Sequence, residues 1–142
     1  MPAAARGSAG LAAAWAGALL CIAALAAPAA FATLTPADAG RYIGRVFAAE
    51  ADLSLVVALL LLFIERRRRA AEPGSVLGAE TLLLLGTIFC TVAGYFALQP
   101  LMAAARLGQG AWSFGILHAV SGGFYALKLA LVIALAWRFG RR

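Results

Sequence analysis

Two ionisable residues lie within the apolar spans: Asp52 in the second expected helix, beside the run 53–64, and Lys128 in the fourth. A charge in hydrocarbon is costly and normally faces a partner or a polar cavity, so both are candidate site residues. Helical geometry gives each of them polar companions. At 100° per residue, Asp38, Arg41, Arg45 and Asp52 fall within an arc of about 60°, and His118, Ser121, Tyr125 and Lys128 within about 80°. Two such stripes are expected to face one another rather than lipid. Lys128 precedes Arg138 by ten residues and Asp52 precedes Glu65 by thirteen. At 1.5 Å per residue the two lie about 15 and 20 Å above the same membrane end, close enough for a lysine stem to span the difference. An Asp52–Lys128 ion pair is therefore expected. Glu50, about 160° around the helix from Asp52, is the weaker partner. The expected polar network is Asp52, Lys128, His118, Ser121, Tyr125 and Arg45. It is either a structural device fixing helix register or a polar path or ligand site opening to one side.

Other chemistry lacks its residues. His118 is the only histidine, so one chain cannot form a bis-histidine haem site, and a catalytic zinc site would want more ligands of this kind. No glycine-rich phosphate loop follows a strand and no G-x-S-x-G elbow is present. Cys21 and Cys90 lie in separate apolar runs, outside any C-x-x-C spacing. No catalytic, cofactor or metal residues are assigned, and a non-enzymatic protein is expected.

The elements that must position these residues follow from composition. The chain has 142 residues, 64% of them hydrophobic and 13% charged. Soluble domains are nearer 45–50% apolar and about 25% charged, and this much apolar surface would aggregate in water. The pattern is that of an all-α membrane protein, a single four-helix transmembrane bundle, since a bilayer core takes about 20 apolar residues per helix. The first apolar run spans about 9–27 and should stop at Pro28. Ala30-Phe31-Ala32 has the form of a signal-peptide cleavage site. The run exceeds the usual h-region of about 7–15 residues, so a retained helix is expected. Thr35-Pro36-Ala37-Asp38 is a helix start, with Thr35 as cap and Asp38 as capping carboxylate; this second helix should span 36–66. Pro73-Gly74 is a turn, and Ser75 should cap a third helix over 76–98, extended to 107 beyond Pro100. Gly108-Gln109-Gly110 breaks the chain before a fourth helix over 111–139, with Trp112 and Trp137 as interfacial anchors. Four-residue spacings of small residues, Gly86-Cys90-Gly94 and Ala13-Gly17-Cys21, are expected packing faces.

The net charge of +6 is nearly all arginine at the ends of apolar runs, which reads as membrane flanking rather than nucleic-acid binding. The expected partners are the lipid bilayer and either further copies of the chain or other membrane proteins.

Two segments carry a family resemblance: Ala27-Pro28-Ala29-Ala30-Phe31-Ala32-Thr33-Leu34 with Ala39-Gly40 and Gly44-Arg45-Val46-Phe47, and Leu117-His118-Ala119-Val120-Ser121 with Tyr125. Together they resemble the transmembrane protein 205-like family, in bacteria often called domain of unknown function 4149. The resemblance covers most of the chain and implies a small four-helix membrane protein without an established activity. Related sequences often carry asparagine in place of Tyr125, and the resemblance gives His118 and Ser121 no catalytic role. A looser likeness to the copper-resistance D type of membrane bundle rests on helix count and size alone. The reading is thus an inner-membrane protein of bacterial type. A structural or helix-interaction role comes first, with a permeation module using the two polar stripes as the alternative.

Arg6, Arg66–Arg69, Arg138, Arg141 and Arg142 would share one side, against Arg41, Arg45 and Arg106 on the other. Eight against three places both termini in the cytoplasm. Reporter fusions after Arg69 and after Arg142 should be active only as cytoplasmic reporters; a periplasmic signal from either overturns this topology.

Overall fold

The computed structural model describes residues 3–71 and 77–142. Among them there is no strand, and four helices are long and apolar enough to cross a membrane. The first, α1, is a continuous rod of Ala3–Cys21, a π-helical turn Ile22–Ala26 and Ala27–Thr33. α2 runs Pro36–Ala70. α3 joins Ala79–Thr91, a second π-helical turn Val92–Ala97 and Leu98–Arg106. α4 is Phe114–Gly140.

The helix starts follow capping chemistry. Thr35 Oγ1 accepts from Asp38 N–H at 3.2 Å and donates to Asp38 Oδ2 at 2.7 Å, as the sequence predicts. Ser113 caps α4 by accepting from Ile116 N–H. α3 starts behind Gly78, with no side-chain cap bond; the expected caps and turn at Pro73, Gly74 and Ser75 lie outside the described residues. α2 extends four residues past the expected 66, through its arginine cluster.

One proline differs from expectation: Pro28 does not end α1. Pro100 lies inside α3, in the extension towards 107 that the sequence predicts. A helical proline lacks an N–H and its ring collides with the carbonyl four residues earlier. Those carbonyls belong to residues 24 and 96, and each lies inside a π-helical turn. The wider turn relieves the collision, and the rod continues.

The helices form a ring in chain order: α1 packs on α2 and α4, and α3 packs on α2 and α4. The core fills one half of the bundle, around Ala12, Trp15, Leu19, Leu61, Leu84, Val132, Leu135 and Phe139. The outward faces carry large apolar residues such as Leu25, Val56, Phe63, Phe89 and Leu127, all exposed as a lipid-facing surface requires. Trp112 and Trp137 point outward at opposite ends of the fourth helical region.

The arginine-rich end is tied by two buried carboxylates. Glu65 accepts from Arg68, Arg69 and Arg142 at 2.8–3.1 Å. Glu80 pairs with Arg69, Arg138 and Arg142 at 2.6–2.9 Å. Arg69 and Arg142 bridge both glutamates, so the end of α2, the start of α3 and the end of α4 are held together. The arginines that the sequence assigns to membrane flanking are also the clamp on this end.

Of the two small-residue faces, one packs. A Cβ on Gly94 would lie 2.3 Å from Phe124 Cβ, and one on Gly86 would lie 3.1 Å from the flexible tip of Leu131; Cys90 is buried beside them. The face on α1 does not pack: Ala13, Gly17 and Cys21 are exposed, and a Cβ on Gly17 meets nothing within 4 Å. The buried stripe of α1 is instead Ala12, Trp15 and Leu19, because large side chains gain more from burial than small ones. Gly94→Ala should therefore lower thermal stability by about 1–3 kcal/mol through overpacking against α4. Gly17→Ala should be neutral or slightly stabilising in a thermal melt. Equal effects at the two positions would refute this assignment of faces.

Candidate functional site

Above the filled half, the bundle opens. The part of α3 beyond its π-helical turn packs chiefly on α4, while the first half of α2 packs against the end of α1. The first half of α2 and the second half of α3 therefore part, and between them lies a cavity of about 630 Å³. This falls in the range of small-molecule sites, about 300–1,000 Å³. Gly40, Gly44 and Gly122 line it, and a Cβ on any of them would meet nothing within 4 Å. The wall has room because these positions carry no side chain.

The floor is charged. Lys128, 3% exposed, donates to Glu50 Oε1 at 2.7 Å, and Glu50 is 6% exposed. The same oxygen accepts from Ser54 Oγ, whose own oxygen accepts from Trp15 Nε1 at 2.9 Å. One chain of polar contacts thus crosses α4, α2 and α1. Lys128 also lies over the Tyr125 ring, 4.9 Å from its centroid. Glu50 Oε2 accepts no hydrogen bond from the described residues, although the residue lines the cavity. Cys90 and Thr91 complete this end. Directly beyond it begins the packed core, with Leu19, Leu61, Leu84 and Val132 all fully buried. The cavity is blind.

The expected partner of Lys128 was Asp52, and this is corrected. Asp52 is exposed and makes no hydrogen bond or ion pair with described residues. The reason is rotational. The buried residues of α2 are Ala39, Ile43, Glu50, Ala51, Ser54, Val57, Ala58, Leu61 and Glu65, a single face at helical spacing. Glu50 is in phase with that face and Asp52 is about 160° away. The charged stripe of α2 is accordingly turned away from the bundle interior, and of its members only Arg41, near the start of α2, borders the cavity. Arg45, also expected in the network, is exposed and lies outside the cavity.

The stripe on α4 does face inward. Ser121 Oγ donates to the Gly94 carbonyl at 2.6 Å, joining α4 to the π-helical turn of α3. Tyr125 OH donates to the Leu19 carbonyl at 2.8 Å, just before the π-helical turn of α1, and its ring stands edge-on to Phe47. His118 lines the upper cavity and stacks on Phe114, with ring centroids 5.6 Å apart. Arg106 covers Phe114 from α3 at 4.6 Å, and Arg41 lines the rim from α2, paired with Asp38. No three histidine, cysteine or acidic side chains gather to hold a metal ion among the described residues.

Sequence reasoning ranked Glu50 below Asp52 as the partner of Lys128, and it missed Arg106, Ser54 and Trp15 as site or supporting residues. For Glu50 the signal was present: its spacing from Ile43, Ser54 and Val57 puts it on the apolar face. For Arg106 there was none, because its place depends on the path of α3 past Pro100.

A family model described as Domain of unknown function (DUF4149) matches residues 10–110. The chain belongs to the DUF4149 family. No curated protein and no solved structure matches it. The DUF4149 match takes in α1 to α3, including Trp15, Glu50, Ser54 and Cys90, and ends before Lys128.

Removing one partner of a buried ion pair strands the other, at about 3–5 kcal/mol. Glu50→Gln and Lys128→Met should each lower the melting temperature strongly, and the double variant should recover much of the loss. Asp52→Asn should have little effect. Additive single effects in the double variant, or a loss with Asp52→Asn equal to that with Glu50→Gln, would reject the pairing.

Proposed function

We propose that this multi-pass membrane protein is a binding module that holds a small molecule in a blind cavity within one half of the bilayer. The observation carrying this reading is the 630 Å³ space that ends on the buried Lys128–Glu50 pair. Two buried charges joined to each other satisfy register with no cavity beside them. Here the cavity reaches them, glycines keep its wall open, and a π-helical turn borders it on each of α1 and α3. Such turns are frequent at functional sites.

A binding role also fits better than permeation. A continuous path would have to cross the packed half between Leu61, Leu84 and Val132 and then the Glu65–Glu80 arginine clamp. The arginine asymmetry supports a bacterial inner membrane with both termini in the cytoplasm, so that the cavity opens on the periplasmic side. The residue pattern supports a transmembrane protein 205-like member of the family. The role is binding without catalysis, and the exposed face of α1 offers a surface for further copies or other membrane proteins.

A cysteine scan tests the reading. In a chain with Cys21 and Cys90 replaced by serine, Gly122→Cys places a thiol in the cavity, and Gly123→Cys places one at an exposed position outside it. A polar, membrane-impermeant thiol reagent added from the face bearing Arg106 should label the first and not the second. Labelling of neither, or of both equally, would sink the binding reading.

A further inference from the structure

The charge distribution along the cavity narrows the class of ligand. The two ends differ. At the floor Lys128 and Glu50 neutralise one another at 2.7 Å. At the rim the balance is positive. Arg106 lies on the Phe114 ring and has no carboxylate partner among the described residues. His118 stacks on the same ring with no hydrogen-bond partner among them. Arg41, bonded to Asp38, adds a second guanidinium there. Between the ends the wall is largely apolar, with Ala23, Ala27, Ile43, Phe47 and Met102. The side is open too, because the halves of α2 and α3 that border the cavity part from each other.

We infer that the cavity takes a single-chain anionic amphiphile, its carboxylate or phosphate head at Arg106 and His118 and its alkyl chain along the apolar wall towards Lys128. Arg106 and His118 each contact the Phe114 ring and each lines the cavity, so the rim offers N–H donors suited to a headgroup with several acceptor oxygens. A cationic head would meet Arg106, which has no carboxylate partner among the described residues, and the Asp38 carboxylate is already taken by Arg41. A head at the floor would have to displace Glu50 from Lys128, Ser54 and the Trp15 behind it. The opening between α2 and α3 lets a chain enter from the leaflet without passing through water.

Size agrees with this. His118 and Lys128 are ten residues apart on α4, about 15 Å at the helical rise. Carbon–carbon bonds of about 1.5 Å advance an extended chain by roughly 1.25 Å each, so a chain of about twelve carbons fills that length.

This inference rests on the cavity being a binding site, and one experiment separates the two. The Gly122→Cys chain without other cysteines is placed in phosphatidylcholine nanodiscs, and the labelling rate is measured alone, with dodecyl phosphate, with dodecanoate and with dodecyltrimethylammonium. At about ten times its Kd, a ligand leaves roughly one site in eleven free. The anionic amphiphiles should therefore slow labelling about tenfold and the cationic one should not. Arg106→Gln should abolish the protection, whereas Arg45→Gln, whose side chain is exposed outside the cavity, should retain it. Gly122→Leu, which fills the space, should abolish the gain in melting temperature that dodecyl phosphate gives the unaltered chain. Substituting phosphatidylglycerol for part of the nanodisc lipid asks whether a leaflet lipid is the source. If it protects as well as dodecyl phosphate, the head belongs to a two-chain membrane lipid and the single-chain class is overturned; if only the single-chain compounds protect, the ligand is a free amphiphile as inferred. Absence of labelling in every arm overturns the binding reading itself. Labelling that none of the compounds slows, or that the cationic amphiphile slows equally, overturns the anionic class and leaves the cavity standing.

Discussion

Lys128 cannot sit in hydrocarbon without a counter-charge, and much of this bundle is arranged around supplying one. The carboxylate comes from Glu50, one helix away, and it is held by more than the lysine. Ser54, one turn further along α2, donates to the same oxygen, and Trp15 of α1 donates to Ser54. Three helices are thereby fixed in rotation about their own axes. A rotation of α2 that brought Asp52 inward would strand Lys128, expose Glu65 and remove Leu61 from the core. Polar satisfaction and apolar burial select the same phase, which is the consistency expected of a sequence with one stable arrangement.

The two halves of the bundle are built differently. At the arginine-rich end, interdigitated leucines, valine and aromatic residues fill the interior, and two buried glutamates shared among four arginines hold three helices together. At the other end the helices diverge. Pro28 and Pro100 each follow a π-helical turn, and each turn borders the open space through Ala23 or through Gly94 and Tyr95. Proline and π-bulge sites are where helices commonly change direction, and both turns lie in the half of the bundle that opens. The carbonyls of Leu19 and Gly94, next to or within these turns, then receive the Tyr125 and Ser121 hydroxyls. The features that open the cavity are therefore also stitched into its wall.

Membership of the DUF4149 family names no activity, so function has to be argued from the site. The site argues for binding. Its floor is neutral and sealed, its wall apolar, its rim cationic and aromatic. Such a gradient would orient the proposed amphiphile in one sense only, and the packed half lies directly beneath the floor.

Amphipathic and apolar periodicity made four membrane helices legible in the chain, together with the Thr35–Asp38 cap, the glycines that let α3 approach α4, and the inward polar stripe of α4. These are local properties: helix formation in a bilayer follows from run length and backbone satisfaction alone. The partner of Lys128 was not local. Depth along the helix and stripe membership favoured Asp52. Which face of α2 turned inward depended on the summed burial of Ile43, Val57, Leu61 and their neighbours, and that phase carried Glu50. The same holds for the small-residue stripe of α1, which lost the interior to Trp15 and Leu19, and for Arg106, brought to the rim by a helix that continues past Pro100. The sequence by itself determined how many helices are long and apolar enough to cross a membrane and where the second begins; only the tertiary structure decided which residues meet, because helix rotation is set by all the contacts of a face at once.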